Sequence, residues 1–171
     1  DERDILFARE EYHPGSQKYK VYYEMHPENK EIDDRIRSRP ELLEPGGHYY
    51  NRELADYIGR LFDFNESLTA LVDGPVGMPN ADIESSEITA KIKSMLMEMG
   101  AADTGVARLN PAWIYSHVGR GPETWGRRIT NRHKYVISFA LEMDYQHVET
   151  APRLPITGET ARCYLLGAEI S

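Results

Sequence analysis

The feature that most constrains this chain is residues 88–109, ITAKIKSMLMEMGAADTGVARL. Ile88, Ile92, Met95, Leu96 and Met99 recur at helical spacing, so an amphipathic helix is expected over residues 86–99. Gly100 follows at once, where a glycine ends a helix in the left-handed conformation without a steric penalty. Residues 104–108 then read as a buried strand running into the Asn110-Pro111 turn. A helix that stops on glycine and feeds a strand within a few residues points to helices layered on a sheet.

The rest of the chain supplies the other layers. Residues 51–64 read as a helix with Asn51 as N-cap, Glu53 suiting its dipole, and Leu54, Tyr57, Ile58, Leu61 and Phe62 on one stripe. Residues 28–37 form a shorter helix behind Pro27, with Ile32 and Ile36 on one face. The clearest strand is residues 133–143, HKYVISFALEM, whose apolar run is too continuous for a strand with one wet face. It is expected at the centre of a covered sheet. Residues 68–72 are expected as a further short strand, ended by the loop 73–80 with its Gly74-Pro75 and Met78-Pro79 breaks. Thr157 or Gly158 opens a last helix, with Ala161, Leu165 and Ala168 on one face. No Gly, Asn or Pro closes that helix, so Ser171 is expected to be a truncation point.

The expected fold is therefore α/β, with α+β left open. A small mixed sheet of residues 68–72 and 104–108 beside 133–143 is flanked by three helices. Residues 1–80 form an irregular helical arm and residues 81–171 the α/β unit. Tyr12, Tyr19, Tyr22, Tyr23, Tyr49 and Tyr50 enrich the arm. They are expected to pack over a core formed elsewhere, the alternative being the wall of an aromatic ligand channel.

Composition excludes several functions. A net charge of -8 disfavours nucleic acid as a partner, because phosphate binding needs an accumulated positive face. A single cysteine, Cys163, excludes a disulfide framework and any cysteine-ligated zinc or iron–sulfur site within the chain. No apolar run reaches the roughly 18 residues of a transmembrane segment. There is no signal-peptide pattern, and a cytoplasmic location is expected, although a start at Asp1 without Met leaves an absent leader open.

Residues 119–134 hold the strongest charge contrast: Arg120, Arg127, Arg128, Arg132 and Lys134 stand against Glu123 alone. Gly119, Gly121 and Gly126 permit close backbone approach, and guanidinium groups bind carboxylates and phosphates bidentately. Arg120, Arg127 and Arg128 are thus candidates for an anion or acidic-partner site. The competing reading is a solvated loop whose arginines pair with neighbouring carboxylates, favoured because no Walker or dinucleotide spacing accompanies the glycines. The six histidines show no pair at i, i+3 or i, i+4, so no metal site is expected. Ser116-His117 adjacency does not make a catalytic pair. Cys163 is expected as a buried inert thiol, and Met95, Met97 and Met99 as core filling.

Four segments in order, KIKSMLMEMGAADTGVARLNP, Trp113-Ile114-Tyr115, HKYVISFALEM and ETARCYL, resemble the N-terminal part of the corrinoid iron–sulfur reductive dehalogenases. The segment EPGGHYYNRELADYIG is similar to the oxygen-tolerant, catabolic branch of that family. Epoxyqueuosine reductase is a more distant likeness, against which the acidic charge and the N-terminal arm argue. The resemblance covers most of residues 12–171. It implies a parent oxidoreductase that removes halide from an organohalide, using cobalamin, two four-iron four-sulfur clusters and a proton-donating tyrosine. Those parts follow the point where this chain ends, so no cofactor and no turnover are expected of this chain alone. Its expected partners are the remaining corrinoid and iron–sulfur domains of the parent polypeptide and, through them, the organohalide. By position in the resemblance, Trp113, Tyr115 and Trp125 are candidates for the aromatic lining of a substrate channel, and packing roles compete for each. The rival reading is a stand-alone binding or scaffold domain that kept the fold and lost the chemistry.

Overall fold

The computed structural model describes residues 1–72, 84–121 and 123–171. In chain order the helices and strands are α1 (Leu6–Glu10), α2 (Gln17–Met25), α3 (Pro27–Arg37), α4 (Arg52–Val72), α5 (Ser85–Glu98), β1 (Asp103–Arg108), β2 (Tyr135–Ala140), α6 (Tyr145–Val148) and α7 (Leu154–Ile170). They belong to two compact units, Asp1–Pro40 with Arg108–Tyr135, and Glu41–Ala107 with Val136–Ser171. The boundary expected at residue 80 and the loop 73–80 lie outside the described residues.

Helix ends follow the local chemistry. Ser16 Oγ accepts from the Tyr19 N–H at 3.1 Å to start α2, and Asn51 Oδ1 accepts from the Leu54 N–H at 3.0 Å to start α4. At the end of α5, Gly100 has φ 107°, the Ala101 N–H donates to the Leu96 carbonyl at 3.0 Å, and the Gly100 N–H donates to the Met97 carbonyl at 3.1 Å. This pair of bonds is the Schellman arrangement, and its usual apolar contact is present because Leu96 and Ala101 share one buried cluster.

The first unit is built on aromatic rings. Ala8, Tyr12, Tyr22 and Tyr23 form its buried cluster, with Ile5, Tyr19 and Trp125 packed against it. Tyr12, Tyr22 and Tyr23 are therefore themselves a core with Tyr19 against it, whereas Tyr50 packs against the Ala55–Ile58 cluster and Tyr49 is exposed. Rings supply the burial because this unit has few aliphatic side chains to offer, and each aromatic buries about 150–250 Å². In α3 the buried residue is Asp33, while Ile32 and Ile36 are exposed.

In the second unit α4 packs along α7, burying Ala55, Ile58 and Leu154. Gly158 faces Ile58 at this seam, where a β-carbon would lie 3.5 Å from Ile58 Cγ1, in ordinary van der Waals contact. A second cluster joins Leu96 and Ala101 to Ile170, with Phe139, Leu141, Ile92 and Leu166 around it.

The expected architecture of helices around a small sheet is present, with several corrections. Residues 68–72 are the last turn of α4, since no Gly or Pro interrupts the sequence between Phe64 and Val72. The sheet is consequently a pair, β1 with β2, and it is antiparallel rather than mixed. The Ala102 N–H donates to the Ala140 carbonyl at one end and the Leu109 N–H to the Lys134 carbonyl at the other. β2 is shorter than residues 133–143 and is not covered on both faces, with Tyr135 63% and Ile137 47% exposed. The last helix starts at Leu154, three residues early, because Pro155 sits in the first turn where its missing N–H costs nothing. Met95, Met97 and Met99 are exposed, so the core filling expected of them falls to Leu96 and Ile92. Among the described residues no helix is long and apolar enough to cross a membrane.

Candidate functional site

The first unit contains a preformed cavity of about 460 Å³ between residues 109–116 and 128–133. Asn110 starts one wall: its Oδ1 accepts from the Ala112 N–H at 3.0 Å and begins the short 3-10 turn Pro111–Trp113. The two walls are pinned by an antiparallel bridge between His117 and Arg128, with the Ile129 N–H donating to the Ser116 carbonyl and the Val118 N–H to the Arg127 carbonyl, both at 2.9 Å. The Asn131 amide closes the far end by exchanging hydrogen bonds with the His133 backbone, accepting its N–H at 2.9 Å and donating to its carbonyl at 3.1 Å. Leu109, Pro111, Ile114 and Ile129 give the cavity an apolar part, and Tyr115, Ser116, Arg128 and His133 a polar one.

This geometry separates the expected site residues. Of the aromatic candidates only Tyr115 lines the cavity; Trp113 stands 63% exposed outside it. Trp125 is a packing residue, meeting Tyr12 edge-on at 5.8 Å and donating its indole N–H to the Tyr12 hydroxyl at 3.0 Å. Of the arginines, Arg120 lies 3.4 Å from Glu11 Oε1 and over the Phe7 ring, and Arg127 pairs with Glu123. Those two follow the solvated-loop reading. Arg128 lines the cavity and has no carboxylate partner among the described residues.

A buried polar network in the same unit escaped sequence reasoning. Asp33 Oδ2 accepts from the Tyr23 hydroxyl at 2.9 Å and lies 3.5 Å from Arg9 Nε. Arg37 Nη1 donates to the Tyr23 hydroxyl at 3.0 Å, and its Nη2 donates to Asp34 Oδ1 at 2.6 Å. Asp34 also accepts from Lys30 and the Tyr19 hydroxyl, and Lys30 first, then Arg37 and Tyr19, hold its carboxyl down to about 2. Burial pushes the Tyr12 and Tyr23 phenols up to about 12, so both stay neutral and serve as packing and hydrogen-bonding groups.

The second unit has a cavity of about 670 Å³ beside the start of α7, where Arg153 lies over the Tyr49 ring at 5.7 Å and Tyr57 and Leu154 complete the wall. Its only sequence signal was the Tyr49-Tyr50 pair before α4. Further along α7, Glu159 is buried and accepts from Arg162 Nη2 at 2.7 Å, Arg162 Nε at 2.8 Å and the Asp144 N–H at 2.8 Å. Arg162 chiefly holds this carboxyl down to about 2, so Glu159 is a permanent anion that ties α6 to α7, not a proton carrier. The neighbouring Cys163 is half-buried rather than buried as expected, and its partial burial raises the thiol. Among the described residues no group of three or more His, Cys, Asp or Glu could hold a metal ion. No family model, curated protein or solved structure matches this chain.

Proposed function

We propose that this chain is the N-terminal portion of a reductive dehalogenase-like protein, whose intact form removes halide from an organohalide with cobalamin, and that it does not turn over alone. The observation that supports this reading is β2. Its sequence has the apolar pattern of a covered central strand, yet among the described residues it pairs with β1 only and leaves Tyr135 and Ile137 open. A two-stranded ribbon is marginal in water, and an exposed apolar strand edge is a template for a further strand. Additional chain laid against β2 accounts for both features.

The residues present do not fit the cofactors of the intact family. Each four-iron cluster takes four thiolates, and the sequence has Cys163 alone. The two cavities described, about 670 and 460 Å³, are of the size that takes drug-sized ligands, not a corrinoid with its nucleotide tail. No redox step is therefore assigned to these residues.

The test is to read the coding frame past the Ser171 codon. Continuation into a segment with two cysteine-rich cluster motifs supports the reading, and a stop codon at that position overturns it. The second reading, a stand-alone binding domain, is favoured by the preformed Arg128 cavity. A corrinoid absorbance change on mixing the chain with cobalamin would separate a cofactor-binding module from both.

A further inference from the structure

We propose that the cavity at Arg128 binds a small monocarboxylate with an apolar body. This assignment does not depend on the dehalogenase reading. Residues 108–135 carry Arg108, Arg120, Arg127, Arg128, Arg132 and Lys134 against Glu123 alone, in a chain of net charge -8. No carboxylate lines the cavity, so an entering anion meets no like charge at the wall. Arg120 and Arg127 are engaged by Glu11 and Glu123, whereas the Arg128 fork has no such partner among the described residues. A planar guanidinium matches a carboxylate with two parallel N–H···O bonds, and such charge-assisted pairs are the stronger class of hydrogen bond.

The apolar body follows from the rest of the lining. Leu109, Pro111, Ile114 and Ile129 give the lining an aliphatic part, which bare phosphate cannot use and a hydrocarbon body can. Tyr115, Ser116 and His133 add polar groups to the lining, and none of them has a carboxylate hydrogen-bond partner among the described residues. The His117–Arg128 bridge and the Asn131–His133 exchange hold the walls in place before a ligand arrives, which lowers the ordering cost of binding.

Isothermal titration of the purified chain with cyclohexanecarboxylate, cyclohexanecarboxamide and inorganic phosphate tests the assignment. The carboxylate is expected to bind at least about tenfold more tightly than the amide or phosphate, and Arg128→Gln to weaken it by at least about tenfold. Arg127→Gln, whose side chain is spent on Glu123, is expected to bind as the parent does. Equal binding of carboxylate and amide, tighter binding of phosphate, no binding of the carboxylate, or an equal loss in Arg127→Gln each overturn the proposal. The comparison of the three ligands needs no variant, so misfolding of Arg128→Gln does not shelter it.

Discussion

Removing the Asp33 carboxylate is the sharpest perturbation of the first unit. Asp33 is 1% exposed, accepts a hydrogen bond from the Tyr23 hydroxyl at 2.9 Å and faces Arg9 at 3.5 Å. In Asp33→Ala the Tyr23 O–H loses its acceptor, a loss of about 1–3 kcal/mol for a buried donor. Arg9 is also left without its counter-charge, and breaking a buried pair typically costs about 3–5 kcal/mol. The Arg9 side chain keeps 18% of its surface in contact with water, which places its cost near the lower end of that range, so the two losses together come to about 4 kcal/mol. Asp33→Asn retains an acceptor for Tyr23 but still leaves Arg9 without its counter-charge, so about 3 kcal/mol is expected, less than for Asp33→Ala. Both tryptophans lie in this unit, and Trp125 packs on Tyr12, so urea unfolding followed by tryptophan fluorescence reads the first unit without interference from the second. An Asp33→Ala variant within about 0.5 kcal/mol of the parent, the range of ordinary surface substitutions, would refute the network as a source of stability.

The remaining expectations concern titration and packing. Glu159 has a carboxyl depressed in the folded chain, so its contribution is present above the ordinary carboxylate value of 4.5 and is lost as pH falls toward 2. Thermal melts by circular dichroism should show an acid limb in that window that flattens in Glu159→Gln; an unchanged limb would assign it to other carboxylates. Tyr12 and Tyr23 have raised phenols, so their contribution is present below the ordinary value of 10 and lost as pH rises toward 12. An absorbance titration should find two phenols that ionise only with alkaline unfolding, and their ionisation in the folded state would contradict the burial. Ile58 is fully buried between α4 and α7, so Ile58→Ala should cost about 2–5 kcal/mol, whereas Met95→Ala, half exposed, should cost less than about 0.5 kcal/mol. Denaturation followed by helical dichroism measures both, and equal costs would mean that α5 is covered in solution.

The elements legible from sequence were those whose causes are local. Asn51 caps α4, Gly100 ends α5 through its positive φ, and the strand following it starts within a residue of its expected place. Residues 68–72 were misjudged because an apolar run of five has no periodicity that separates a strand from the end of a helix. The charge contrast of residues 119–134 singled out the loop that carries Arg128, without distinguishing Arg128 from Arg120 and Arg127.

What separated those arginines was distance in space. Glu11 reaches Arg120 from 109 positions away in the chain, and Glu123 reaches Arg127 from one turn away, while the His117–Arg128 bridge carries Arg128 to the cavity. Burial behaves likewise: Asp33 is inside and Ile32 outside because α3 is turned by the phenols of α2 and the arginines Arg9 and Arg37. Hydrogen-bonding and capping preferences act over one helical turn and are written in neighbouring residues. Burial, ion-pair partnership and cavities depend on groups brought together from distant positions, and come into being only when the units pack.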